Sequence, residues 1–187
     1  MGPITRIRRL LLTPRTEWRA IAAEDAGIAR LYVRHILPLA GVPVVGAFAR
    51  LVYRATLRGR FDIAAWGLVN ALVSYAAALA VPLMAAAVLA AMGSRFRSSG
   101  RLTDALRLIA YAATPFWLAG IFYLVPGLAL LAIPAGLYAV YLFYLGAPAV
   151  MRTPQDHVVP FMVVAALSIL VASALTNFVG TNLVRPR

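Results

Sequence analysis

A short inventory bounds the chemistry open to this chain. Six carboxylates (Glu17, Glu24, Asp25, Asp62, Asp104, Asp156) and two histidines (His35, His157) are all the acids and imidazoles in 187 residues, and there is no cysteine. Catalysis needs an acid, base, nucleophile or metal held in position. Without cysteine, thiol nucleophiles, disulfides and thiolate metal sites fall away. Neither histidine has an HxxxH or ExxH partner in the sequence, so each reads as an interfacial histidine at the edge of an apolar segment. Asp156 and His157 are adjacent, but a dyad without a third group is a very weak signal. No carboxylate lies inside a predicted span, which removes intramembrane proteolysis by paired aspartates and gives ion coupling no buried ionisable groups. The inventory argues against an enzyme, a coupled transporter, and a bound metal or cofactor.

The elements around these residues are apolar. Hydrophobic residues make up 63% of the chain, its mean hydropathy is +0.84, and 13% of residues are charged; a soluble domain carries about 25%. No charged side chain occurs between Asp62 and Arg95, between Arg107 and Arg152, or between Asp156 and Arg185. Each run exceeds the roughly 20 apolar residues that cross a bilayer core, and the Arg107–Arg152 run is long enough for two crossings. The predicted fold is an all-α polytopic membrane bundle. A cytoplasmic amphipathic segment over residues 1–30 precedes a transmembrane domain over 31–187, with spans at about 32–53, 64–92, 105–123, 127–146 and 158–181.

In the amino-terminal segment, Ile4, Ile7, Leu10 and Leu11 share one helical face, which predicts a basic amphipathic helix on the headgroups. Thr13-Pro14 predicts an N-cap and the first residue of a second helix. That helix carries Trp18, Ile21 and Ala22 toward the membrane and Glu17, Glu24 and Asp25 away from it. The first span is the shortest, with fifteen uncharged residues between Arg34 and Arg50. It crosses if both arginines snorkel; a re-entrant segment is the alternative. On the second span Asn70, Ser74, Ala77 and Ala78 form a small, polar stripe suited to interhelical packing or to lining a ligand path. Pro115 should kink the third span and Pro134 the fourth, each freeing a carbonyl. Val125-Pro126-Gly127 predicts the turn between those two spans. The fifth span ends at Thr181-Asn182 with a short arginine tail.

All eighteen basic residues are arginine and the net charge is +12. They sit in the polar gaps between apolar runs, the placement set by anionic headgroups and insertion topology rather than by nucleic acid. With the amino terminus inside, twelve arginines face the cytoplasm and six the other side. That bias predicts a cytoplasmic amino terminus and a periplasmic carboxy terminus. Abundant alanine with arginine in place of lysine points to a GC-rich bacterial genome.

Polar detail concentrates between Tyr138 and Asp156. Tyr138, Tyr141 and Tyr144 fan across one side of a helix. Tyr138 is deep enough to need a hydrogen-bond partner from another helix. Gly146 and Pro148 should end that helix, and Arg152 to Asp156 form a compact polar loop. The segment reads either as a capped helix end or as a partner-docking surface carried by Arg152 and Asp156, with Asn70, Ser74, Pro115, Tyr138, Tyr141 and Gly146 as interhelical packing positions.

The same stretch resembles the Yip1 domain family. Tyr138, Tyr141, Leu142, Tyr144, Leu145, Gly146, Pro148, Met151, Pro154 and Asp156 match its tyrosine-rich segment. Ala110-Tyr111-Ala112-Ala113-Thr114-Pro115 with Trp117-Leu118-Ala119-Gly120 resembles its third-span segment, and Leu12-Thr13-Pro14-Arg15-Thr16-Glu17-Trp18 its lead-in. The resemblance implies a five-span domain with a cytoplasmic amino terminus. Eukaryotic relatives are small membrane proteins of the early secretory pathway that associate with Rab-type GTPases and with each other. This chain lacks their Asp-Leu-Tyr-Gly-Pro-like segment, so what carries over is the membrane domain. The expected function is a non-enzymatic inner-membrane protein that organises membrane or assembles with protein partners or further copies of itself. A passive conduit or lipid-handling protein is the alternative.

Overall fold

The computed structural model describes residues 2–24, 27–59, 61–125 and 127–184, and within these the side chains of 3, 61–65 and 181–184 are not described. Asp25, Pro126 and the arginines of the tail therefore lie outside the described residues, as do the side chains of Asp62, Thr181 and Asn182. Nine α-helices and no strand occur among the described residues: α1 (Pro3–Leu12), α2 (Pro14–Ala23), α3 (Ile28–Leu31), α4 (Leu37–Leu57), α5 (Phe61–Met92), α6 (Leu102–Ala112), α7 (Thr114–Ala119), α8 (Ala132–Val150) and α9 (Val158–Val184). Five stretches are long and apolar enough to cross a membrane: Ile28–Leu57, Trp66–Phe96, Leu102–Leu124, Leu128–Val150 and Gln155–Gly180. They match the five expected spans to within a few residues. The first is one continuous helical stretch of 30 residues with a π turn at Tyr32–Ile36, about 45 Å at the α-helical rise. The chain does not reverse direction within it.

The third span lies at the centre, with α5 and α8 packed on α6, and α4 and α8 on α7; α9 lies outside α5, and α2 lies on α8. Helix–helix association in a membrane rests on close approach rather than hydrophobic transfer, so small residues set the crossings. A Cβ at Gly46 of α4 would stand 2.7 Å from the Gly120 carbonyl oxygen, and one at Gly120 would stand 2.5 Å from the Pro43 Cα. Only glycine lets these two backbones touch.

The prolines divide as their neighbours dictate. The third span is interrupted at Ala113, and α7 restarts with Pro115 in its first turn, as expected from the missing N–H. Pro134 behaves differently from the expectation. The fourth span opens as a 3-10 turn over Leu128–Leu131, and Pro134 lies in the first turn of α8, where a proline costs least. Pro148 does not end α8, which continues to Val150. Gly127 has φ +90°, the left-handed geometry of the expected turn.

The amino-terminal helices do not simply rest on headgroups. Leu10, Trp18 and Ile21 are buried in one cluster with Leu108, Ala147, Val150 and Met151 of the bundle. Proline opens both α1 and α2. Thr13 does not cap α2 with its side chain; its hydroxyl donates back to the Arg9 carbonyl at 3.0 Å, closing the end of α1. Ile4 and Leu12 remain exposed.

Candidate functional site

Burying α1 and α2 against the bundle brings charges together from distant parts of the chain. Arg6 of α1 reaches Glu17 of α2 at 3.3 Å and donates to the carboxylate of Glu24. It also donates to the Tyr111 hydroxyl of α6 at 3.3 Å, and its guanidinium carbon stands 5.9 Å from the centroid of that ring. Glu17 is 3% exposed, a correction to its expected place on the polar side of α2. A buried carboxylate is tolerable only when paired, and Arg6 is the pair. Burial opposes the charge of Arg6, but Tyr111 and Glu24 outweigh it and hold the guanidinium pKa above its ordinary value. The group stays charged.

Tyr111 connects this network to a second one. Its ring lies 4.2 Å from that of His35 and packs edge-on to Trp18 at 6.4 Å. His35 is 4% exposed, so it is not the interfacial histidine expected from sequence. Its Nε2 lies 3.0 Å from the Thr114 hydroxyl and 3.3 Å from the Ala110 carbonyl. A carbonyl only accepts, so the second contact requires the proton on Nε2. These groups secure the third span at the point where Pro115 interrupts it.

A second feature joins the loops after α5 and α8. The Ser99 N–H donates to the Met151 carbonyl at 2.6 Å, and the Ser98 hydroxyl to Thr153 Oγ1 at 2.9 Å. Arg97 (φ 52°) and Arg152 (φ 56°) are both left-handed. At Arg97 this completes a glycine-type helix stop: the Ser98 N–H reaches back to Gly93 at 2.8 Å and the Arg97 N–H to Ser94 at 3.3 Å. Beyond Arg152 the Thr153 N–H donates to Ala147 at 3.3 Å. Both arginines are exposed. Asp156 is exposed too, with its carboxylate 3.0 Å from His157 Nδ1.

The remaining positions singled out from sequence are dispersed. Tyr138 donates to the Leu11 carbonyl at 2.7 Å, one of the last four of α1 that lack a partner within the helix. Tyr141 is half exposed and lies 5.7 Å from Tyr138, ring to ring. A Cβ at Gly146 would stand 2.7 Å from both Leu108 Cδ1 and a Trp18 ring carbon. Pro115 is buried. Asn70 and Ser74 are exposed and border a recess of about 100 Å³ shared with Val44, Ala47, Phe48 and Leu51 of α4. Sequence reasoning missed the Arg6–Glu17–Tyr111–His35 connection. The one available signal was two acidic residues following a helix of arginines.

A five-span helical bundle with its amino-terminal helices docked by an ion pair defines a polytopic membrane protein. The chain belongs to the Yip1 domain family, whose sequence model matches residues 8–176. It is 28% identical over 174 residues to "Inner membrane protein YohC" of Escherichia coli (strain K12), covering 87% of this chain and 89% of that protein. The protein of the same name in a second Escherichia coli strain matches with the same identity and coverage. No solved structure matches.

Proposed function

We propose that this chain is a non-enzymatic inner-membrane protein that assembles with protein partners through the amino-terminal side of its bundle and so organises the membrane around it. The observation that carries this reading is the pair Arg97 and Arg152. A left-handed backbone costs a non-glycine residue roughly 1–2 kcal/mol, and both positions are helix stops that glycine fills at less cost. Exposed arginines held there at the expense of stability suit recognition better than folding. The inner-membrane location is supported by the name of the relative, and a cytoplasmic amino terminus by twelve arginines against six.

Crosslinking and pull-down from native membranes test the reading with the whole chain. The Arg97→Gly/Arg152→Gly variant should fold at least as stably as the parent yet recover fewer partners. Arg152→Ala/Asp156→Ala should likewise fold and lose recovery, since exposed loop charges contribute little to stability. Full recovery by both double variants overturns the proposal. For orientation, Ser98→Cys should be labelled only from the cytoplasm and Asn182→Cys only from outside. Labelling of both from one side would mean an even number of crossings between them.

A further inference from the structure

Two arginines near the network described above take no part in it. Arg30 and Arg34, a turn apart at the start of the first span, are exposed and have no ionic or hydrogen-bond partner among the described residues. Both line a cavity of about 430 Å³ between this span and the docked amino-terminal helices, within the size range of small-ligand sites. Its inner wall is His35 and Tyr111, both buried, and its flank is Arg6 with Glu24. Arg6 is already engaged by Glu17 and Glu24. Among the described residues, Arg6, Arg30 and Arg34 line the cavity with a single carboxylate, Glu24, and that carboxylate is held by Arg6.

The cavity is amphipathic as well as basic. Val33, between the two arginines in sequence, is 66% exposed and lines it, as does exposed Pro38. The π turn over Tyr32–Ile36 contains both Arg34 and His35. It sends His35 inward to Thr114 while leaving Arg34 exposed, and such turns recur where function demands an altered side-chain direction. An anion suits the guanidinium forks, which bind phosphate through two parallel bonds. Hydrocarbon suits Val33 and Pro38. A ligand with both parts is a lipid.

We propose that this cavity binds an anionic phospholipid, its phosphate between Arg30 and Arg34 and its acyl chains along Val33 and Pro38. The proposal is independent of the protein partner argued above. The test is native mass spectrometry of the delipidated full-length protein with added phosphatidylglycerol or phosphatidylethanolamine. The parent should retain phosphatidylglycerol preferentially, and Arg30→Gln/Arg34→Gln should lose roughly fivefold in affinity for each arginine removed. Arg54→Gln/Arg58→Gln, at the other end of the first span, should change nothing. Val33→Glu, which places a negative charge in the mouth, should reproduce the loss and guards against misfolding of the double variant. Excess inorganic phosphate should not displace the lipid. Equal binding of the two lipids, equal losses from both arginine pairs, or displacement by inorganic phosphate would each overturn the assignment, the last pointing to a soluble phosphate ligand.

Discussion

The third and fifth spans answer the same bilayer in opposite ways. The third has a mean hydropathy of 1.4, and 72% of its apolar stretch is buried; the fifth has 2.5, and 22%. In a soluble protein the more apolar segment goes inside. Here the surrounding solvent is itself hydrocarbon, so apolar character gives no reason to leave it. What draws a helix inward is polar groups that need partners from elsewhere. On the third span Tyr111 is bonded by Arg6, and Thr114 and the Ala110 carbonyl by His35. The fifth span also carries polar residues, and three of them bond within their own helix. Ser168 donates to the Val164 carbonyl at 2.7 Å, Thr176 to Ala172 at 2.9 Å, and Asn177 to Ser173 at 2.9 Å. A side chain bonded within its own helix makes no demand on a neighbour.

The contrast breaks if substitutions in the two spans cost the same. Leu108 of the third span is fully buried beside Gly146. Leu108→Ala should destabilise by about 2–5 kcal/mol, the range for a cavity in a packed core, read as a shift in reversible unfolding in mixed micelles. Gly146→Leu comes next, since its side chain would enter space held by Leu108 and Trp18. Overpacking of this kind costs about 1–3 kcal/mol. Combining Leu108→Ala with Gly146→Ala sharpens the point. The first change removes one of the two obstructions, so the pair should cost less than the sum of the single variants.

Much of this architecture is legible in the sequence because bilayer thickness fixes span length and charge ends each run. The interruption before Pro115 follows from chemistry local to Thr114 and Pro115. The partner of Tyr138 was legible as a need, though not as the Leu11 carbonyl. What a helical wheel does not contain is the surface a face will meet. Leu10 and Ile21 are apolar whether they cover headgroups or a bundle, and Glu17 looks solvated until Arg6 arrives from another helix. His35 meets Thr114 across 79 positions, a separation that leaves no periodic trace. The end of α8 is obscured for a related reason: the helix runs past Gly146 and Pro148 to Val150, and arginine stands at Arg152, where glycine would announce a stop.

Tyr138→Phe sits between the extremes. It removes one hydrogen bond to Leu11, and the side chain is only partly buried. A cost of about 0.5–1.5 kcal/mol is expected, read in the same unfolding assay. The loss should fall on the docking of α1, so protease accessibility near Thr13 should rise before the bundle unfolds. Simultaneous loss of both would mean that α1 is integral to the core rather than fastened to it.

The smallest effects should come from the fifth span and are the most exacting check. Leu170 is 64% exposed, and exposure here means contact with acyl chains. Leu170→Ala exchanges one apolar surface for another and leaves no cavity, because lipid closes over the change. Ser168→Ala removes a bond that the helix made with itself, and the freed carbonyl keeps its backbone donor from the next turn. Each should stay within about 0.5 kcal/mol of the parent. A loss near that of Leu108→Ala at either position would mean that the outer face of α9 is covered by protein in the membrane. Crosslinking between copies substituted with cysteine at Leu170 would then report whether that cover is a second copy of this chain.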